Sequence, residues 1–152
     1  MDITFKSIDY SPANGKEGGK YMALICVDGV LRGSAESRGK AGDLVIRPDA
    51  LRTEIAAHLA GKSQSKQSET PESFIARMVN EQIAQHRLEV EMRTKVLFTR
   101  PGERGVFSYQ LRSAKSLAVA LSLPHLKRLL GAAKILNTME RPSALKVYMA
   151  AT

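Results

Sequence analysis

Two adjacent residues, Asp28-Gly29, constrain this chain more tightly than any others. They separate two apolar runs, residues 21–27 and 30–34. Strands twist right-handedly, so a two-residue connection closes best with both central residues at positive φ, which Asp-Gly reaches at little cost. The pair therefore predicts a β-hairpin with those runs as its arms. Residues 21–27 are apolar on both faces, which suits a central strand. Upstream, residues 2–10 alternate as a strand does, but the phase slips. Ile3 and Phe5 share one face, then Ile8 and Tyr10 take it over, which predicts a bulge near Lys6–Ser7. Residues 11–20, Ser-Pro-Ala-Asn-Gly-Lys-Glu-Gly-Gly-Lys, carry every turn signal and join the first strand to the second. A run at 43–47 completes a fourth strand. Pro48-Asp49 then opens a helix in which Leu51, Ile55 and Leu59 recur every four residues, and Gly61 ends it.

The second half follows other rules. Residues 62–69 contain no apolar side chain, so they read as a linker. Thr70-Pro71-Glu72 starts a helix with a capping hydroxyl, a proline in the first turn and an acid at the positive end of the dipole. Ile75, Met78, Val79 and Ile83 form its apolar stripe. Leu88, Val90 and Met92 alternate as in a strand. The acid-before-base pairs Glu89–Arg93 and Glu91–Lys95 favour helix, so the helix is expected to run to about residue 92. Residues 95–100 and 106–112 flank Pro101-Gly-Glu-Arg-Gly105 as a second hairpin, with Phe107, Tyr109 and Leu111 on its buried face. Helices are expected at 114–122 and 124–138. The second would turn Leu126, Leu129, Leu130, Ala133 and Leu136 inward and Lys127 and Lys134 outward. Residues 143–150 suit either a short helix or an edge strand.

Together these elements predict an α+β fold, a small antiparallel hairpin-rich sheet packed by three to four helices. A small barrel of the oligonucleotide-binding type is the minor alternative for the N-terminal strands. The expected organisation is a β-rich subdomain at 1–61 ending in a helix, a flexible linker at 62–69, and a basic helix/hairpin/helix subdomain at 70–152. The two subdomains are expected to pack as one compact unit, which the 152-residue length allows.

Several chemistries find no support. Residues 33–41, Gly-Ser-Ala-Glu-Ser-Arg-Gly-Lys-Ala, look like a phosphate loop at a glance. Five residues separate the glycines where four are needed, and Ala41 stands where a magnesium-binding hydroxyl belongs. Gly15, Lys16, Gly18, Gly19 and Lys20 read as a hairpin tip sooner than an anion cradle. His58, His86 and His125 lie far apart with no ligand partner at metal-binding spacing. The single Cys26 sits among Leu24, Ile25 and Val27, where a small buried hydrophobe belongs, and it precludes an internal disulfide. No metal, cofactor or catalytic residue is assigned, and the chain is read as non-enzymatic. No stretch approaches the roughly 18–20 apolar residues of a membrane span, and residues 1–5 lack a signal-peptide pattern, so a cytoplasmic location is expected. Residues 116–130 suggest a helix-turn-helix, but Ser122 and Arg128 replace the glycine and the buried aliphatic of that motif. A hydrophobic αα-hairpin is the better reading.

Charge carries the functional expectation. Residues 1–83 hold 11 Lys/Arg and 11 Asp/Glu, whereas residues 84–152 hold 12 against 4, so the second half supplies the whole net +8. Between residues 92 and 139 Glu103 is the only acid among nine bases. These are Arg93, Lys95, Arg100, Arg104, Arg112, Lys115, Lys127, Arg128 and Lys134. Such asymmetry points to a polyanion, with the nine bases on the phosphate backbone of DNA or RNA. Four Phe, four Tyr and no Trp leave few rings for stacking, which favours backbone or duplex contact. The competing class is an adaptor, inhibitor or assembly subunit that docks its basic half on an acidic protein.

Overall fold

The computed structural model describes residues 1–11, 19–39, 43–62, 69–111, 121–122 and 124–151, with all their side chains but those of Leu126 and Leu129. The fold is α+β, with its hairpins divided between two antiparallel sheets. Two compact units are present, Met1–Asn80 and Glu81–Thr152.

The first unit is a four-stranded meander, β1 (Ile3–Ser11), β2 (Lys20–Val27), β3 (Val30–Ser37) and β4 (Val45–Arg47), in that spatial order. The Asp28-Gly29 turn is as the dipeptide demands, with φ of 50° and 83°. It is tied to the chain start: Asp28 N–H donates to the Asp2 carbonyl and Asp2 N–H to Asp28 Oδ1, both at 2.8 Å. The β1–β2 register shifts between Phe5 and Ser7, where the alternation slipped. Ala23, Ile25, Ala35 and Ile46 share the buried face. The opposite face leaves Met22, Leu31 and Val45 exposed.

Helix α1 (Asp49–Lys62) buries Leu51, Ile55 and Leu59, the stripe read from their spacing. Its approach to the sheet needs Gly33. A Cβ there would lie 2.0 Å from the Arg47 carbonyl oxygen and 2.6 Å from Leu51 Cδ2. A further shift of the β2–β3 register beside it, between Ile25 and Cys26, leaves Arg32 unpaired in the ladder. The Arg32 side chain reaches Glu54 on α1 at 2.7 Å. Helix α2 (Pro71–Thr94) begins as expected, with Thr70 Oγ1 accepting the Ser73 N–H at 3.1 Å. Arg52 of α1 hydrogen-bonds Glu72 in its first turn.

The second unit holds a three-stranded sheet, β6 (Phe107–Gln110), β5 (Lys95–Thr99) and β7 (Lys134–Ile135) in spatial order, with β5 central. Alternation along β5 sends Leu97 to one side and Val96 and Phe98 to the other. Leu97 packs with Leu88, Leu136, Ala144 and Tyr148, joining the end of α2 to the last helix. Val96 and Phe98 pack with Leu130, flanked by Phe107, Tyr109 and Ile135. Both faces of this small sheet are therefore covered.

One expectation is overturned. Residues 124–138 are not one helix: α3 (Pro124–Leu129) stops at a turn, and the chain continues into β7 and a 3₁₀ turn, Leu136–Thr138. A straight helix would align Leu130 and Leu136 on one stripe. Instead they enter different cores, on opposite faces of the sheet. The edge of β5 decides this, because its backbone needs partners. Ile135 pairs with Phe98 and Lys134 with Thr99. Beyond them, Asn137 continues the pairing through its side chain: Leu97 N–H donates to Oδ1 at 2.8 Å, and Nδ2 donates to the Lys95 carbonyl at 2.9 Å. Residues 141–151 form helix α4 (Arg141–Ala151), which settles the helix-or-strand choice there. The expected helix at 114–122 lies outside the described residues except for its helical end, 121–122, and most of the 62–69 linker and the Gly/Lys loop lie outside them as well.

Candidate nucleic-acid interface

The turn leaving β5 shapes the first part of the basic surface. In Arg100-Pro101-Gly102-Glu103, Pro101 presets φ and Gly102 takes φ of 76°. Glu103 N–H closes the turn on the Arg100 carbonyl at 3.2 Å. The chain thereby brings the Arg100 side chain back over the sheet. Its guanidinium carbon lies 4.8 Å from the Phe107 ring centroid and 5.6 Å from that of Phe98. Those two rings stack, with centroids 5.9 Å apart and planes inclined by 26°. The guanidinium thus caps the stacked pair, close to both rings at once. Arg104 is exposed in the same loop, ahead of Gly105 at φ of 102°.

Two residues beyond Phe107, on the same side of β6, stands Tyr109. Its hydroxyl is 3.2 Å from His125 Nε2, and the two rings are tilted, with centroids 6.1 Å apart. His125 lies on α3, where Lys127 and Arg128 are also exposed. Residues three apart sit about 60° apart around a helix axis, so Arg128 flanks His125 while Lys127 points away from it. One side of β6 therefore carries two contact pairs in succession, Arg100–Phe107 and Tyr109–His125, with Arg128 alongside the second.

The remaining bases are placed differently. Alternation puts Lys95 and Lys134 on the Leu97 side of the sheet, with Lys134 exposed opposite Thr99. Arg93 is exposed in the last turn of α2, where the helix dipole favours a cation. Arg112 and Lys115 lie outside the described residues. The described candidate bases thus divide between two sides of the sheet, and among them Arg100 and Arg128 stand at the row of rings.

Two candidates have acidic neighbours: Arg100 is 3.7 Å from Glu103, and Lys95 is 4.0 Å from Glu91. Pairs as open to water as Arg100–Glu103 contribute about 0–1 kcal/mol, so a phosphate can displace them. Arg93, Arg104, Lys127, Arg128 and Lys134 form no ion pair among the described residues. The sequence places Tyr109 on the buried face of its hairpin and gives His125 no partner at ligand spacing. Their contact went unseen, because only the fold brings residues 109 and 125 together. Lys146, exposed on α4, also went unassigned. Arg141 is 3.4 Å from Glu89.

Other chemistry-bearing groups are dispersed. Cys26 is buried. Desolvation and the nearby Lys62 hold His58 below the ordinary imidazole range. Burial raises the Tyr148 phenol, and Glu91, 3.3 Å from its hydroxyl, adds to the shift. A cleft of about 570 Å³ lies between the Glu103–Gly105 loop and the end of α4, lined by Thr99, Glu103, Arg104 and Val147. Among the described residues, no three His, Cys, Asp or Glu gather as a metal site, and no helix is long and apolar enough to cross a membrane. No family model, curated protein or solved structure matches the chain.

Proposed function

We propose that the second unit binds nucleic acid through its phosphate backbone. The observation that carries this reading is the acid-poor, partly ringed surface built by the β5–β6 turn, β6 and α3. There the Arg100 guanidinium lies over Phe107, Arg104 is exposed in the same turn, and Arg128 flanks the Tyr109–His125 pair, with Lys127 exposed elsewhere on the same helix. A planar guanidinium held against a ring keeps its N–H edge in fixed directions, which suits bidentate contact with phosphate oxygens. The exposed lysines act as point charges that release counterions from the polyanion. Arg93, Lys95 and Lys134 extend the positive field rather than the ring-lined row.

The test is charge removal. Arg100→Ala with Arg104→Ala, or Lys127→Ala with Arg128→Ala, should each weaken binding to labelled oligonucleotides. Lys16→Ala with Lys20→Ala, in the electrically neutral first half, should change it little. A larger loss from the Lys16/Lys20 variant would move the site to the first unit. The second reading, an acidic protein on the same bases, draws on the Arg100–Glu103 and Lys95–Glu91 pairs, which show that these bases accept carboxylate partners. Absence of nucleic-acid binding at ~50 mM salt would leave that reading in its place.

A further inference from the structure

The row of rings says more than a charge count does. Phosphate contact accounts for the ring beneath Arg100, but it makes no use of the Tyr109–His125 pair beyond it. Here three planar groups follow one another: the Arg100 guanidinium over Phe107, then Tyr109, then His125. Phe107 and Tyr109 are two residues apart on one strand, a separation of about 6.8 Å, twice the rise between stacked bases of one nucleic-acid strand. The Arg100 guanidinium rests over the Phe98–Phe107 pair, and its side chain is 38% exposed. His125, next to Tyr109, is exposed on α3. Bases in a duplex hide their faces against one another and cannot use such groups. Unstacked bases of a single strand can.

We infer that this surface binds single-stranded nucleic acid, with one base stacked on the exposed part of the Arg100 guanidinium and the next against the Tyr109–His125 pair. This rests on the nucleic-acid reading above and names its substrate class. Arg128, beside His125, meets a flanking phosphate. The scarcity of aromatics in the whole sequence is then no obstacle, because Phe98, Phe107 and Tyr109 are gathered in one small sheet and the outermost stacking plane is an arginine.

The experiment compares four probes on the full chain by fluorescence anisotropy at ~50 mM salt: a 12-nucleotide DNA strand, the same strand as RNA, a 12-base-pair duplex, and a strand with the same phosphates but abasic at its central positions. The wild type should prefer the intact single strands over the duplex, and the abasic strand should bind roughly 5-fold to 100-fold more weakly, the range that base stacking supplies. Arg100→Lys keeps the charge but loses the plane. It should weaken the intact strand by about 5-fold or more, leave the abasic strand unchanged, and keep the salt slope. His125→Ala, at an exposed position, should act in the same direction. Equal affinity for intact and abasic strands, or tighter binding to duplex, would overturn stacking while leaving backbone binding in place. Failure of all four probes to bind would overturn the nucleic-acid reading itself. The abasic comparison uses the wild type alone, so misfolding of a variant does not blunt it.

Discussion

Replacing Asn137 by alanine should cost far more than a half-buried polar residue ordinarily does. Its amide stands in for the next residue of β7: Oδ1 accepts the Leu97 N–H at 2.8 Å and Nδ2 donates to the Lys95 carbonyl at 2.9 Å. Leu97 is almost fully buried, so water does not readily replace the lost acceptor. Each bond contributes about 1 kcal/mol net, and stranding a buried donor costs about 1–3 kcal/mol. The sum for Asn137→Ala is about 2–4 kcal/mol, read as the loss of unfolding free energy in urea by circular dichroism. Native-state hydrogen exchange gives a local check, since the Leu97 amide should lose protection before the amides of β2 do. Asn137→Asp keeps the acceptor for Leu97 but sets a carboxylate against the Lys95 carbonyl, so it should be at least as costly as alanine at neutral pH. A loss below about 0.5 kcal/mol for the alanine variant, with Leu97 still protected, would show that the edge of β5 is closed by something else.

Gly33→Ala should destabilise by about 2–3 kcal/mol, because its Cβ would fall 2.0 Å from a backbone oxygen that cannot swing aside; an unchanged urea midpoint would mean that β3 and β4 are not so close. Gly29→Val should cost about 1–3 kcal/mol through backbone strain alone, since nothing lies within 4 Å of the new Cβ while φ is +83°; an unaltered melting temperature would contradict the turn. Arg52 holds the Glu72 carboxyl below its ordinary value of 4.5 by hydrogen bonding, so the unfolded chain binds more protons than the folded one just below that pH. The stability this contributes is present above about pH 4.5 and is lost as pH falls through the lowered value. Arg52→Met should flatten the acid limb of a stability-versus-pH curve, and an identical limb would refute the coupling.

The parts of the fold legible in the sequence are those set by near neighbours. Asp28-Gly29 specifies its turn through its own φ preferences, and the slipped alternation around Lys6 reports a bulge because face and position are locked together in a strand. Thr70-Pro71 marks the start of α2 by capping chemistry confined to one turn. The stretch after Pro124 was misread for the opposite reason. Leu126, Leu129, Leu130, Ala133 and Leu136 fit a helical stripe, and nothing local reveals that β5, some forty residues earlier, lacks a partner on one edge. Long-range backbone pairing outweighed the local pattern. The site divides along the same line. The charge of Arg100, Arg104, Lys127 and Arg128 was plain in the composition. The stacking of Arg100 on Phe107 and the meeting of Tyr109 with His125 depend on a turn and on a packed helix, and no periodicity encodes either.

The most direct measurement is the salt dependence of nucleic-acid binding by the full chain. Each neutralised phosphate releases condensed counterion, so a plot of log affinity against log salt has a slope of about −0.9 per contact on duplex and about −0.7 on single strands. With about four to six bases engaged, the expected slope is about −3.5 to −5.5 on duplex and about −3 to −4 on single strands. The Arg100→Ala, Arg104→Ala variant should flatten it by the equivalent of one or two contacts. No detectable binding at ~50 mM salt, or an affinity indifferent to salt, would contradict a phosphate-binding second unit.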